Sequence, residues 1–194
     1  MIDSSRLGAA LSLTVSVHGD QRRKGNGVPY LTHLLAVCAI VGEYGGDEDL
    51  MIAGLLHDAL EDQPHRITLE DIVERFGWRV AQAVLGCSDC RSKPKPPWED
   101  RKRAFVDRLA SENSDVRLVA AADKLHNAAA LVRAVREKGD AAWNVYNAPK
   151  DRQCWYLRAC VTALRVGWAH PIVDALDETV TELERLCGKE ADAT

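Results

Sequence analysis

The apolar residues of this chain recur every three or four positions almost from end to end, and that period limits it to helices. Stretches such as LLAVCAIV, IAGLL and LRACVTAL carry the pattern, and no segment alternates apolar and polar residues between hairpin turns. The spacing predicts helices over about 4–22, 30–44, 47–60, 68–76, 78–86, 98–111, 115–138 and 150–168, and from 171 to about 186. Gly45-Gly46, Gly77 and Gly139 supply stop signals, and acids stand in the first turns after Asp47 and Thr68. RRKGNGVP and CSDCRSKPKPPWED read as loops, broken by Gly, Asn and Pro. A chain of 194 residues suits one domain with a sizeable core. The expected fold is therefore all-α, a single helical bundle over 1–194. Its motif-bearing core is 21–131, its C-terminal helices span 150–187, and a short polar tail follows.

Charge and composition exclude some classes of function. The net charge is -4, which argues against a protein that grips duplex nucleic acid by broad electrostatics. No run approaches the roughly 18 apolar residues of a membrane span. The apolar patch near the N-terminus lacks a basic segment before it, so no secretory signal is expected. The expected setting is cytoplasmic, with no membrane and no nucleic-acid partner; the sequence does not give the oligomeric state. Several of the six cysteines lie inside apolar helical patterns and read as buried reduced thiols. Cys87 and Cys90 form a CxxC, but no second pair follows to complete a four-ligand zinc site.

The chemistry-bearing residues fall in four short pieces. PYLTH holds His33, LLHDALED holds His57, Asp58, Glu61 and Asp62, ADKLHN holds Asp123 and Asn127, and Arg22-Arg23-Lys24 forms a basic run. Acids near the end of a buried helix oppose its dipole, and a divalent ion compensates that charge well. Asp123 sits in the apolar run LVAAADKL, where an inward carboxylate is costly unless it is paired or bound to metal. Two imidazoles and two carboxylates suit Mn, Fe, Co or Zn better than Ca or Mg. Each residue alone has a plainer reading: a structural histidine, an Asp paired with an Arg, a solvated basic helix end.

Taken together, the pieces resemble the HD-domain phosphohydrolase superfamily. Within it, the chain is similar to the hydrolase domain of RelA/SpoT-type enzymes and their small stand-alone homologues. QRRKGNGVPYLTH, AGLLHDALED, TLEDIVERFG, CSD, WEDRKRAF and AADKLHN carry the likeness in the family's order, over more than half of the chain. The resemblance implies that His33, His57, Asp58 and Asp123 hold a divalent metal, usually Mn. It implies that Glu61 and Asp62 handle the attacking water, and that Arg23, Lys24 and Asn127 bind the substrate. That substrate is a phosphorylated nucleotide, guanosine tetra- or pentaphosphate, whose 3′-diphosphate leaves as pyrophosphate. Ala128-Ala129-Ala130-Leu131 departs from the family, which carries an Arg there. Two other readings therefore stay open: hydrolysis of another nucleotide or a nicotinamide phosphate, and a non-catalytic nucleotide-binding regulator.

Overall fold

A computed structural model describes residues 4–90 and 94–189. The helices are α1 (Ser4–His18), α2 (Leu31–Glu43), α3 (Glu48–Leu56), α4 (Ala59–Asp62), α5 (Leu69–Phe76) and α6 (Trp78–Cys87). They continue as α7 (Trp98–Leu109), α8 (Ser114–Lys138), α9 (Lys150–Leu164) and α10 (Pro171–Lys189). A 3-10 turn over Gly139–Val145 links α8 to α9. Among the described residues the one β-type contact is an isolated bridge between Arg22 and Pro29. The fold is all-α, as the periodicity requires. Residues 190–194, where a polar tail is expected, lie outside the described residues.

Local chemistry sets several of the helix ends. Asp47 caps α3 by accepting from Leu50 N at 3.2 Å, and Asn113 caps α8 by accepting from Val116 N at 3.0 Å. Thr68 and Asp71 form a reciprocal capping box at the start of α5. Gly139 stops α8 with a φ of 57°, a backbone geometry that other residues adopt at a cost.

α8 is the axis of the bundle. At 25 residues it spans about 38 Å, and α2, α6, α9 and α10 pack around it. Its first half is buried on nearly every side, from Val116 to Lys124. That position explains why an Asp and a Lys adjacent in sequence, Asp123 and Lys124, both lie inside the protein. α2 crosses α3 closely, and Gly54 makes this approach possible. A Cβ there would stand 3.2 Å from Cys38 Cα and 3.3 Å from Cys38 N.

Three boundaries differ from the expected ones. α1 ends at His18, with Gly19 next, and α9 ends at Leu164, before Gly167 with a φ of 63°. The helix expected over 47–60 breaks at His57-Asp58 and restarts as α4. The His57 ring supplies the reason: its Nδ1 bonds the Gly54 carbonyl at 2.8 Å, an acceptor of the last helical turn. The helix expected over 47–60 is therefore two helices, α3 and α4, with His57 and Asp58 between them.

Candidate metal centre

Two helices and a turn bring together the four residues expected to be ligands. His33 comes from the first turn of α2, His57 and Asp58 from the α3–α4 turn, and Asp123 from the middle of α8. His33 is 1% exposed and His57 2%. Their Nε2 atoms are buried and neither makes a hydrogen bond. Carboxylate oxygens nevertheless lie close: Asp123 Oδ1 is 3.2 Å from His33 Nε2 and 3.6 Å from His57 Nε2. Asp58 Oδ2 is 3.0 Å from His57 Nε2 and 3.7 Å from His33 Nε2. One ligand atom each from His33, His57 and Asp58 falls within a 4.8 Å span, a cluster that could hold a divalent metal ion. Orphaned imidazole nitrogens facing carboxylate oxygens are the donor set such an ion needs, so the residues fit one.

Electrostatics bind the group tightly. Burial alone would push the His57 pKa down, but Asp58 and Asp123 outweigh it and hold the pKa well above the usual imidazole range. Burial would raise the Asp58 carboxyl, yet His57 keeps it low. Asp123 is likewise held well below the ordinary range, with Lys124 and the two imidazoles overcoming burial. His33 goes the other way, lowered by burial despite Asp123. A divalent ion held here would take the place of the His57 Nε2 proton.

Polar neighbours fix the carboxylates. Lys124 Nζ reaches Asp123 Oδ2 at 2.5 Å, and Asn127 Nδ2 donates to Asp123 Oδ1 at 2.5 Å. Tyr30 Oη donates to Asp58 Oδ2 at 2.5 Å. The two imidazoles are anchored on their far sides, His57 Nδ1 at the Gly54 carbonyl and His33 Nδ1 at His126 Nδ1, both at 2.8 Å. Burial, with His33 and Arg23 adding to it, pushes the His126 pKa down to about 4.

Beside the donors opens a cleft of about 510 Å³. Tyr30, Lys124 and Asn127 line it, so the groups that bond Asp58 and Asp123 also form the cleft wall. Seven Lys and Arg residues line it, Arg22, Arg23, Lys24, Lys95, Arg101, Lys102 and Lys124, against two acids, Glu61 and Asp62. A chain of net charge -4 thus concentrates positive charge at one opening.

Glu61 and Asp62 both face this cleft. Lys95 Nζ donates to Glu61 Oε1 at 3.0 Å, and the Asp89 amide donates to its Oε2 at 3.2 Å. Gln21 Nε2 donates to Asp62 Oδ2 at 2.7 Å. Burial and then a neighbouring carboxylate raise both pKa values, Asp89 acting on Glu61 and Asp58 on Asp62. Arg23 and Lys24 line the same cleft. Asn127 is already engaged on both sides, since Arg23 Nη2 donates to its Oδ1 at 2.9 Å while its own amide holds Asp123. It ties the metal group to the cation wall.

Sequence reasoning missed Tyr30, Asp89, Lys95, Lys124 and His126. Tyr30 stands one turn before His33 within PYLTH, and Lys124 interrupts the same apolar run as Asp123. Both offered a signal of position. Asp89, 3% exposed at its side chain, holds Arg101 and Lys102, each at 2.6 Å. Lys95 lies in the Pro-rich loop, where no periodicity marks it. Cys87 and Cys90 join no metal cluster among the described residues.

Known proteins share both the sequence pattern and the shape. A family model described as HD domain matches residues 10–147. The guanosine-3′,5′-bis(diphosphate) 3′-pyrophosphohydrolase MESH1 of Homo sapiens is 33% identical over 94% of this chain and 90% of its own length. The guanosine-3′,5′-bis(diphosphate) 3′-pyrophosphohydrolase of Aquifex aeolicus is 40% identical over 59% of this chain, which spans only 16% of that longer protein. A solved structure of a metazoan ortholog of SpoT that hydrolyses ppGpp superposes with a TM-score of 0.75 at 26% identity, covering 94% of this chain and 97% of that one. Another, lmo0812 from Listeria monocytogenes EGD-e, gives a TM-score of 0.69 at 29% identity, covering 76% of this chain and 96% of that one. The chain belongs to the HD-domain family.

Proposed function

We propose that this protein is a manganese-dependent phosphohydrolase that removes the 3′-diphosphate of guanosine tetra- or pentaphosphate as pyrophosphate, in a cytoplasmic setting and as a single domain over 1–194. The observation that carries the reading is the junction of two features: an N/O group of His33, His57 and Asp58 with Asp123 beside it, and a cleft lined by seven cations. A polyphosphorylated nucleotide needs both. The relatives named for this hydrolysis support the choice of substrate. Thiols at Cys38, Cys87, Cys154 and Cys160 suit a reducing compartment, and no described helix is long and apolar enough to cross a membrane.

His33, His57, Asp58 and Asp123 hold the ion in this reading. It supplies Lewis acidity to the reacting phosphoryl group and to the attacking water. The chain's own groups do the rest. Glu61 or Asp62 orients the water and takes its proton, a task suited to carboxylates whose pKa is raised toward the working pH. The water oxygen adds to the phosphorus on the 3′-oxygen, the bond to that oxygen breaks, and the oxygen leaves with the electron pair and takes up a proton as the 3′-hydroxyl, giving GDP or GTP and pyrophosphate. Arg23 and Lys24 neutralise phosphate charge, Arg as a fork and Lys as a point charge. Asn127 keeps Arg23 in register with Asp123.

One observation favours a second substrate. Ala128-Ala129-Ala130 stand where the family carries an Arg, so the positive charge the family has in that segment is missing here. Another nucleotide or a nicotinamide phosphate is the alternative. Purified protein with Mn²⁺, offered guanosine tetraphosphate, NADPH and deoxynucleoside triphosphates, separates the two. Pyrophosphate release from guanosine tetraphosphate that Glu61→Ala abolishes supports the first reading. Faster phosphate release from another member of the panel replaces it with the second.

A further inference from the structure

The two ligand imidazoles are anchored by different means. His57 gives its Nδ1 proton to a backbone carbonyl, at Gly54. His33 has no such carbonyl, and its Nδ1 faces another ring nitrogen, Nδ1 of His126, at 2.8 Å. The rings lie 4.9 Å apart between centroids and are tilted by 39°. Two N–H groups cannot face each other at that distance, and two lone pairs repel, so one proton sits between the two nitrogens.

Its position decides whether His33 can be a ligand. If His126 donates, a neutral His33 must carry its proton on Nε2, the nitrogen that faces Asp58 and Asp123. That tautomer has no lone pair to offer an ion there. If His126 accepts, the His33 proton is on Nδ1 and the Nε2 lone pair is directed at the donor group. We propose that His126 is the positioning residue for His33, accepting its Nδ1 proton so that Nε2 is kept for the metal. The inference rests on the metal reading of the site and adds a residue to it. Ligating histidines are usually held by a carboxylate, a backbone carbonyl or water. Here a second imidazole takes that place, so the affinity of the site depends on the tautomer of a residue that does not touch the ion.

The test is the affinity of the full chain for Mn²⁺, read as free Mn²⁺ by electron paramagnetic resonance during titration. His126→Phe removes the acceptor and should weaken binding about 10- to 100-fold. His126→Gln restores an acceptor oxygen and should recover most of that loss, which a purely space-filling role does not predict. His57→Ala serves as the control for the site. Equal affinity in H126F and the parent, while H57A binds poorly, overturns the role of His126 and leaves the metal site standing. Equal affinity in H57A and the parent overturns the site itself. A second measurement needs no variant. In protein loaded with diamagnetic Zn²⁺, nitrogen NMR should place the shared proton on His33 Nδ1 and show scalar coupling to His126 Nδ1. A proton found on His126 Nδ1 refutes the proposal.

Discussion

Replacing Asp123 should destabilise the protein even with no metal present. The carboxylate is the only ion-pair partner of Lys124 among the described residues, at 2.5 Å, and both side chains are about nine-tenths buried. Removing one member of a buried pair leaves the other charge uncompensated, at a cost of about 3–5 kcal/mol. Lys124 Nζ also lies 5.0 Å from the Phe105 ring centre and 5.6 Å from that of Tyr156. Those contacts survive the change and retain part of the cation's stabilisation, which favours the low end, about 3 kcal/mol. For a chain of this length that corresponds to a fall in Tm of about 6–12 °C. The assay is urea and thermal unfolding of Asp123→Ala in EDTA. Asp58→Ala, whose carboxylate pairs with no Lys or Arg among the described residues, serves as the comparison. Adding Lys124→Met to Asp123→Ala should recover most of the loss, because the uncompensated charge goes with it. If Asp123→Ala and Asp58→Ala unfold alike, or the double variant is no more stable than Asp123→Ala, the argument from the buried pair is wrong.

Gly54→Ala should cost about 1–3 kcal/mol, since its new Cβ presses on the backbone of Cys38; an unchanged urea midpoint would show that α2 yields freely. Lys95→Met removes a positive neighbour from Glu61, so the Glu61 carboxyl should titrate still higher. A base works only when deprotonated, so the acid limb of kcat/KM should move to higher pH, by less than about one unit because Lys95 is exposed; a limb that moves down or stays fixed contradicts the assignment of Glu61. Mn²⁺ at about a hundred times its Kd should stabilise the native state by about 2.7 kcal/mol, and chelation or His57→Ala should remove the gain. A Tm indifferent to Mn²⁺ counts against the site.

The helices were legible where local rules govern them. Residues 115–138 were expected to be helical and Ser114–Lys138 are, because Asn113 caps one end and Gly139 stops the other. The break at His57-Asp58 was not legible, because IAGLLHDALED keeps a helical period through it. At the break the His57 ring turns back to the Gly54 carbonyl, a contact the period does not reveal. His33, His57, Asp58 and Asp123, which the fold brings close to one another, were singled out through the family resemblance, since each alone has a plainer reading. Lys124 stands out in the same apolar run, but its pairing with Asp123 appears only in the packed structure. Lys95 and Asp89 could not be placed at all, since loop residues reach Glu61 through tertiary folding alone. Asn127 illustrates a different limit: the family pattern marks it for substrate, while the fold shows both ends of its amide already bonded to Arg23 and Asp123.

Everything in the account depends on one ion at one place. Crystals of the full chain grown with Mn²⁺, measured on both sides of the manganese absorption edge, locate that ion by its anomalous signal. The account predicts one strong peak within bonding distance of His33 Nε2, His57 Nε2 and the carboxylates of Asp58 and Asp123. No peak there, or a stronger one elsewhere in the molecule, contradicts it.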